Sequence, residues 1–422
     1  MIDSRKSYKA RIIFWLQGSD FERQARVCFL QQRPGIETRK RKKESLTMKT
    51  IRLLFIVMLG IAAALPARSQ AQESKSFGAV FAMTNAADRN QIIAYKRSAD
   101  GSLAEGQSFP TGGRGSGGTT DPLGSQGSLT LTQDHSILLA VNAGSGDISV
   151  FRVHGANLSL VDRVPCGASE PVAVAQHGNL VYVVNAGGTS NVTGFRLDRT
   201  GRLRPIPDSI AFLSTGNSGA ASLSFSPDGQ FLLVTEKLTN KIDAFHIQID
   251  GTLGPIVVNP SVGPGAFAVL FAPNGAALVS ETGPAGEHNA AAISSYAVQA
   301  NGMLSPISAS APTLGAATCW QEVTPDGRFV YTSNSGSATI SGFSIGANGV
   351  LTPLSVTVVA TLPSGSINLD IAISADGKFL YTLNSGTGTI NIFEINQDGT
   401  LTSLGDIGGL SSTAGMNGIA AI

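Results

Sequence analysis

The stretch NLDIAISADGKFLYTLNSGTGTINIFEINQDGTLT, residues 368–402, holds three short apolar runs and the start of a fourth, separated by polar turns. The first run ends in the turn Ser374-Ala375-Asp376-Gly377, the second runs from Phe379 to Leu383 and closes on Asn384, and the third ends on the aromatic Phe393. Asp398-Gly399 then leads into Leu401. Runs of this length, rich in β-branched and aromatic residues and bounded by Gly, Asn and Asp, predict a four-stranded antiparallel meander.

The same marks recur upstream. The third-run aromatic returns as Tyr95, Phe151, Phe195, Phe245, Tyr296, Phe343 and Phe393, at spacings of 56, 44, 50, 51, 47 and 50 residues. Such a period is too long for leucine-rich or ankyrin units and fits a four-stranded propeller blade. A Gly-x-Leu tail follows nearly every third run, at Gly101, Gly201, Gly251, Gly302, Gly349 and Gly399. The reading is therefore an all-β fold: a seven-bladed β-propeller of four-stranded antiparallel blades. First strands align on Leu131, Val174, Phe225, Phe271, Val323 and Ile373, and the seventh is missing from the front of the repeat. Gly418 to Ile422 supplies it, so the C-terminal strand completes blade 1, which begins at its second strand (78–84), and closes the ring.

Outside the repeats, residues 1–47 are basic, with 12 Lys and Arg against 5 Asp and Glu, and show no blade pattern. They read as a start-site artefact or an unstructured leader. Residues 48–71 have the form of a secretory signal peptide: Met48-Lys49-Thr50-Ile51-Arg52, an apolar run from Leu53 to Leu65, and small residues at Ser69-Gln70-Ala71. The run is shorter than the ~20 residues a bilayer span needs, so cleavage after Ala71 predicts an exported protein, periplasmic or secreted, of residues 72–422. That chain carries 15 basic and 24 acidic residues. Neither nucleic acid nor an acidic membrane surface is expected as a partner. Cys166 and Cys319 fall in blades 3 and 6, across the ring from one another, and read as thiols near the channel more readily than as a disulfide.

Chemistry is expected where loops crowd the channel mouth. Second strands end on Asn85, Asn142, Asn185, Glu236, Glu281, Asn334 and Asn384. Asn at a strand end bonds nearby backbone; Glu is longer and charged, so Glu236 and Glu281, in adjacent blades, read either as a converging pair of catalytic carboxylates or as solvated turn decoration. Arg114, in a Gly-rich connector, Lys237, and His288, in the long loop of blade 5 beside Glu287, are further candidate ligand groups. Trp320, Glu322 and Asp370 stand in the first strands of blades 6 and 7, where charge near the channel needs a partner. No HExxH, CxxC, GxSxG or EF-hand loop occurs, and neither cofactor nor metal is indicated.

The units SPDGQFLLVTEKLTNKIDAF (226–245) and TPDGRFVYTSNSGSATISGF (324–343) resemble the seven-bladed lactonase family, which includes 6-phosphogluconolactonases and proteins named 3-carboxymuconate cyclases; the related Tyr-Val-Thr-Asn repeat propellers include exported proteins of unknown or binding function. The resemblance spans about residues 77–422 and implies hydrolysis of a sugar or aromatic lactone. It carries Glu236 onto the family's Glu after that second strand, while Ser218-Gly219-Ala220-Ala221-Ser222 stands where active members carry an Arg-His pair. Two readings follow: a lactonase using Glu236 or Glu281, with Arg114 or Lys237 steadying the oxyanion, or a monomeric binding propeller for a small polar ligand, cation or peptide.

Overall fold

The computed structural model describes residues 78–284 and 287–422; the expected leader (1–47) and signal peptide (48–71) lie outside the described residues. Among those residues there is no helix, and so none that could cross a membrane. Seven antiparallel sheets follow in chain order. The first strand of each blade packs against the first strand of the next all the way round, with Ile419–Ala421 bridging between Asn368–Ile373 of blade 7 and Leu129–Leu131 of blade 2. The C-terminal strand pairs with Gly78–Met83 in the register Val80 to Ala421, Phe81 to Ala420 and Ala82 to Ile419, which completes blade 1 as expected. Blade 3 departs from the template. Its outer strand is interrupted around Pro205 and Pro207, so that Leu203–Pro205 and Ala211–Phe212 pair separately with Asn191–Leu197.

The repeated sequence marks have distinct physical jobs. The seven third-strand aromatics are all buried. In the turn between first and second strands, Ser226 Oγ donates to Asp228 Oδ1 at 2.6 Å and accepts the Phe231 N–H at 2.9 Å. Thr132, Thr324 and Ser374 do the same for their own turns. The Gly-x-Leu glycines are left-handed, with φ between 80° and 84°. Their carbonyls receive tyrosines from the preceding blade: Tyr331 Oη donates to Gly399 O at 2.7 Å, Tyr381 Oη to Gly101 O at 3.0 Å, and Tyr182 Oη to Gly251 O. The bond from Tyr381 ties blade 7 to blade 1, where the ring closes. Cys166 and Cys319 are both buried free thiols, the bland reading of the two.

Candidate functional site in the central channel

The residue closing each second strand is a buried hydrogen-bond node; Asn85 bonds Ser116 of the connector and Gly415 O, while Asn142, Asn185, Asn334 and Asn384 turn toward the third strand of their own blade. Asn142 Nδ2 donates to Asp147 Oδ1 (2.7 Å) and Ser149 Oγ (2.8 Å), and Asn334 Nδ2 to Thr339 Oγ1 (3.0 Å) and Ser341 Oγ (2.8 Å). Glu236 and Glu281 occupy the same node with the polarity reversed. Glu281, 1% exposed, accepts from Gly263 N (2.9 Å), Ser294 Oγ (2.6 Å) and Ser310 Oγ (2.7 Å). Glu236 is fully buried and accepts from Ser214 N (2.9 Å), Ser214 Oγ (2.8 Å) and Thr239 Oγ1. Asp243, beside it on the third strand, has its carboxyl pushed up by burial and then by the Glu236 carboxyl. The two glutamates share no hydrogen-bond partner, and neither borders the channel cavity.

One end of the channel is filled by Asp121–Gly127, the connector into blade 2, where the sequence spacing of 56 is longest. Gln126 exchanges two bonds with Gln321 of blade 6, Nε2 to Gln321 O at 2.6 Å and Gln321 N to Oε1 at 3.0 Å, and its own N–H reaches Ala221 O of blade 4 at 3.0 Å. Ser125 Oγ donates to Val172 O of blade 3 (2.8 Å), while Ser125 O accepts the Trp320 indole N–H (2.8 Å). Trp320, fully buried, also stacks edge-on against Phe267 with ring centroids 5.1 Å apart. Lys237 caps the segment: its Nζ donates to Gly124 O at 2.7 Å and lies 5.4 Å from the Phe267 ring centre. Asp121 accepts Gly124 N–H (2.9 Å) and Asn417 Nδ2 (3.1 Å). Burial pushes its carboxyl up to about 7, against the pull of Lys237.

Beyond this plug the channel is a cavity of about 590 Å³. It is bordered by Pro227, Pro273, Pro325 and Ala375 of the turns between first and second strands, so it opens on that face, opposite to the loops where the sequence reading looked. His135 and His177 lie at this rim. His135 occupies a glycine position of the turn, with φ 57°, and His177 Nε2 lies 3.2 Å from Pro227 O.

Glu322 and Asp370, on adjacent blades, both border this cavity. Asp370 sits in an irregular step of its strand at φ 67°, between the Asn368 and Ile371 pairings. Its Oδ1 accepts Ile371 N–H at 2.9 Å and its Oδ2 accepts Ile419 N–H at 3.2 Å. Burial raises it to about 7, with those two N–H groups pulling the other way and the Asp121 charge adding a smaller push. Glu322 takes no hydrogen bond from the described residues, and burial, then the charge of Asp370, push it up to about 8. The cavity therefore holds two acids that ionise close to neutrality, one better solvated by backbone N–H groups than the other.

The other sequence candidates lie elsewhere. Arg114 is exposed, its guanidinium 3.5 Å from Gly144 O, and His288 is exposed in the blade 5 loop. Lys237 and Trp320 meet, but as clamps on the plug. Asp121, Gln126 and Asp243 escaped the sequence reading, and the long 56-residue spacing was the available signal for the first two.

Residues 88–216 match the family model Lactonase, 7-bladed beta-propeller. Among solved structures, a protein of Bacteroides uniformis named as a candidate 6-phosphogluconolactonase is 19% identical, with a TM-score of 0.60, over 82% of this chain and 99% of that one. The periplasmic gluconolactonase of Pseudomonas aeruginosa is 18% identical, with a TM-score of 0.59, over 82% and 99%. A protein from Lactobacillus plantarum is 16% identical, with a TM-score of 0.61, over 81% and 98%. No curated protein matches in sequence at a significant level. These likenesses carry the fold, a seven-bladed β-propeller, and the family model matches one stretch of it.

Proposed function

We propose that the protein hydrolyses a lactone inside its channel, with Asp370 as general base and Glu322 as general acid, and that it does so outside the cytoplasm, as the signal sequence at 48–71 implies. The observation that carries this is the placement of two carboxyl groups in one cavity, with ionisation near 7 for Asp370 and near 8 for Glu322. A cavity of this volume lies within the usual range of ~300–1,000 Å³ for small-molecule sites. Two acids with separated ionisation divide the work of proton transfer at neutral pH.

The step balances without a cofactor. Asp370 takes a proton from water as the water oxygen attacks the lactone carbonyl. The resulting tetrahedral species expels the ring oxygen, and the acyl C–O bond breaks as Glu322 gives that oxygen its proton. The product is the open hydroxy acid, and a proton passing from Asp370 to Glu322 through solvent resets the pair. Glu236 and Glu281, saturated by donors from their blades and from the connectors leading into them, serve the fold.

A panel of sugar and aromatic lactones offered to the purified protein tests this. Asp370→Asn is expected to lower kcat by about 10²–10⁴-fold, and Glu236→Gln to leave turnover per folded molecule unchanged. No turnover on any lactone, or full activity in Asp370→Asn, would overturn the reading.

A further inference from the structure

We infer that the C-terminal strand is part of the channel site as well as the closure of the ring: Ile419 and Asn417 are positioning residues for Asp370, the first through its backbone N–H and the second through the register it gives that strand. The inference rests on the channel reading above and concerns which groups hold its base in place.

Ile419–Ala421 pairs with Gly78–Met83 along one edge. Ile422 and Ala79 exchange both of their backbone bonds, at 2.8 and 3.3 Å, so alternation along the antiparallel ladder turns the Ile419 N–H away from its partner strand. Asp370 Oδ2, from the neighbouring blade, accepts that N–H at 3.2 Å. Asp370 reaches it from a left-handed backbone, φ 67°, a conformation costly for a residue with a side chain, and its other oxygen accepts Ile371 N–H at 2.9 Å. Burial disfavours the carboxylate, and each of these N–H groups favours it.

A three-residue strand has little hold on its own register. Asn417, fully buried two residues upstream of Ile419, supplies it. Its N–H donates to Met83 O (3.3 Å), its Oδ1 accepts Ser128 Oγ (2.9 Å) at the entry to blade 2, and its Nδ2 donates to Asp121 Oδ1 (3.1 Å) in the plug. Gly418 follows at φ 95°, where a Cβ would lie 2.6 Å from Ser128 Oγ, so the chain runs pressed against blade 2 just before it meets Asp370. The titratable groups on the elements around Asp370 are Glu322 and the buried thiol Cys319 of blade 6, Asp121 with Lys237 at the plug, and Tyr331 and Tyr381, whose hydroxyls are spent on Gly399 O and Gly101 O. The terminal strand carries no charge, and what it gives the carboxylate is the Ile419 N–H.

Ile419→Pro deletes that N–H where it makes no bond to Gly78–Met83, and Asn417→Ala removes the anchor. Ala421→Pro makes the same backbone change on the same edge, away from the two N–H groups that Asp370 accepts, and serves as control. The experiment follows Asp370 by NMR in the purified protein labelled with 13C at its aspartate γ-carboxyls, the resonance identified by its absence from Asp370→Asn, together with kcat/KM for glucono-δ-lactone and dihydrocoumarin. The expected result is a titration of Asp370 displaced to higher pH in Ile419→Pro and Asn417→Ala and unmoved in Ala421→Pro, with kcat/KM at pH 7 lowered about 3–10-fold in the first two only. A titration that stays in place in either variant would overturn the part assigned to that residue and leave the channel mechanism standing. An equal displacement in Ala421→Pro would trace the effect to general loosening of the strand and overturn the inference as well. Displacement as expected in a protein that turns over neither lactone would uphold the positioning of Asp370 and overturn its catalytic role.

Discussion

At the residue scale, one position per blade shows how a repeat absorbs an exception. Asn142, Asn185, Asn334 and Asn384, at the ends of their second strands, donate to side-chain oxygens on the third strand. Glu at that position cannot donate, so the surrounding groups must. Around Glu281 they are the Gly263 N–H and the Ser294 and Ser310 hydroxyls. Around Glu236 they are the Ser214 N–H and the Ser214 and Thr239 hydroxyls, and the neighbouring acid, Asp243, is pushed up by burial and by the Glu236 carboxyl. Replacing Glu281 with Leu strands the Gly263 N–H inside the protein and is expected to destabilise the fold by about 2–4 kcal/mol, read as a lower urea midpoint with unchanged slope, while turnover of the folded protein persists. The two glutamates were visible in the sequence as departures from Asn, but their meaning was not. Spacing places a residue on a strand end; whether its side chain turns outward or inward depends on partners such as Ser310, 29 residues away. Glu322 and Asp370 were legible as misplaced charges in apolar strands. What spacing could not supply was the cavity that makes them neighbours.

At the element scale, the connector 121–127 converts an open channel into a blind one. A propeller needs only a short link between blades, and the extra residues here bond to blades 3, 4 and 6 at once. Gln126 carries the span to blade 6 through both ends of its amide. Gln126→Ala removes both bonds and leaves the Gln321 N–H without its acceptor, at an expected cost of about 1–3 kcal/mol. Hydrogen exchange should report it as lost protection at Gln321 and Gln126, with the outer strands of the blades unaffected. Protection unchanged at both amides would show that the connector is held by other means. In the sequence this segment was legible only as excess length in one repeat, because its bonds to other blades go to residues 47 to 296 positions away and follow no period.

At the scale of the whole molecule, the fold was legible because every blade repeats the same local devices. The turn with Ser or Thr facing Asp, the left-handed glycine after the third strand and the buried aromatic recur from blade to blade, and GIAAI at the C-terminus fills the vacant first strand. The direction in which the site opens was not legible. Either end of a propeller channel can serve, and here the plug decides, leaving the face of the first turns open. Function then turns on whether the two channel acids ionise as their surroundings dictate. The deciding measurement is the pH dependence of kcat/KM for lactone hydrolysis by the wild type and by Asp370→Asn. Activity needs Asp370 without its proton and Glu322 with it, so the account predicts a narrow bell, rising through about 7 and falling through about 8. In Asp370→Asn the rising limb disappears, and the remaining fall moves to lower pH because the charge that raises Glu322 is gone. A profile that rises through the ordinary carboxylate range near pH 4 and stays flat beyond it, or one unchanged by the substitution, would contradict the assignment of catalysis to the channel acids.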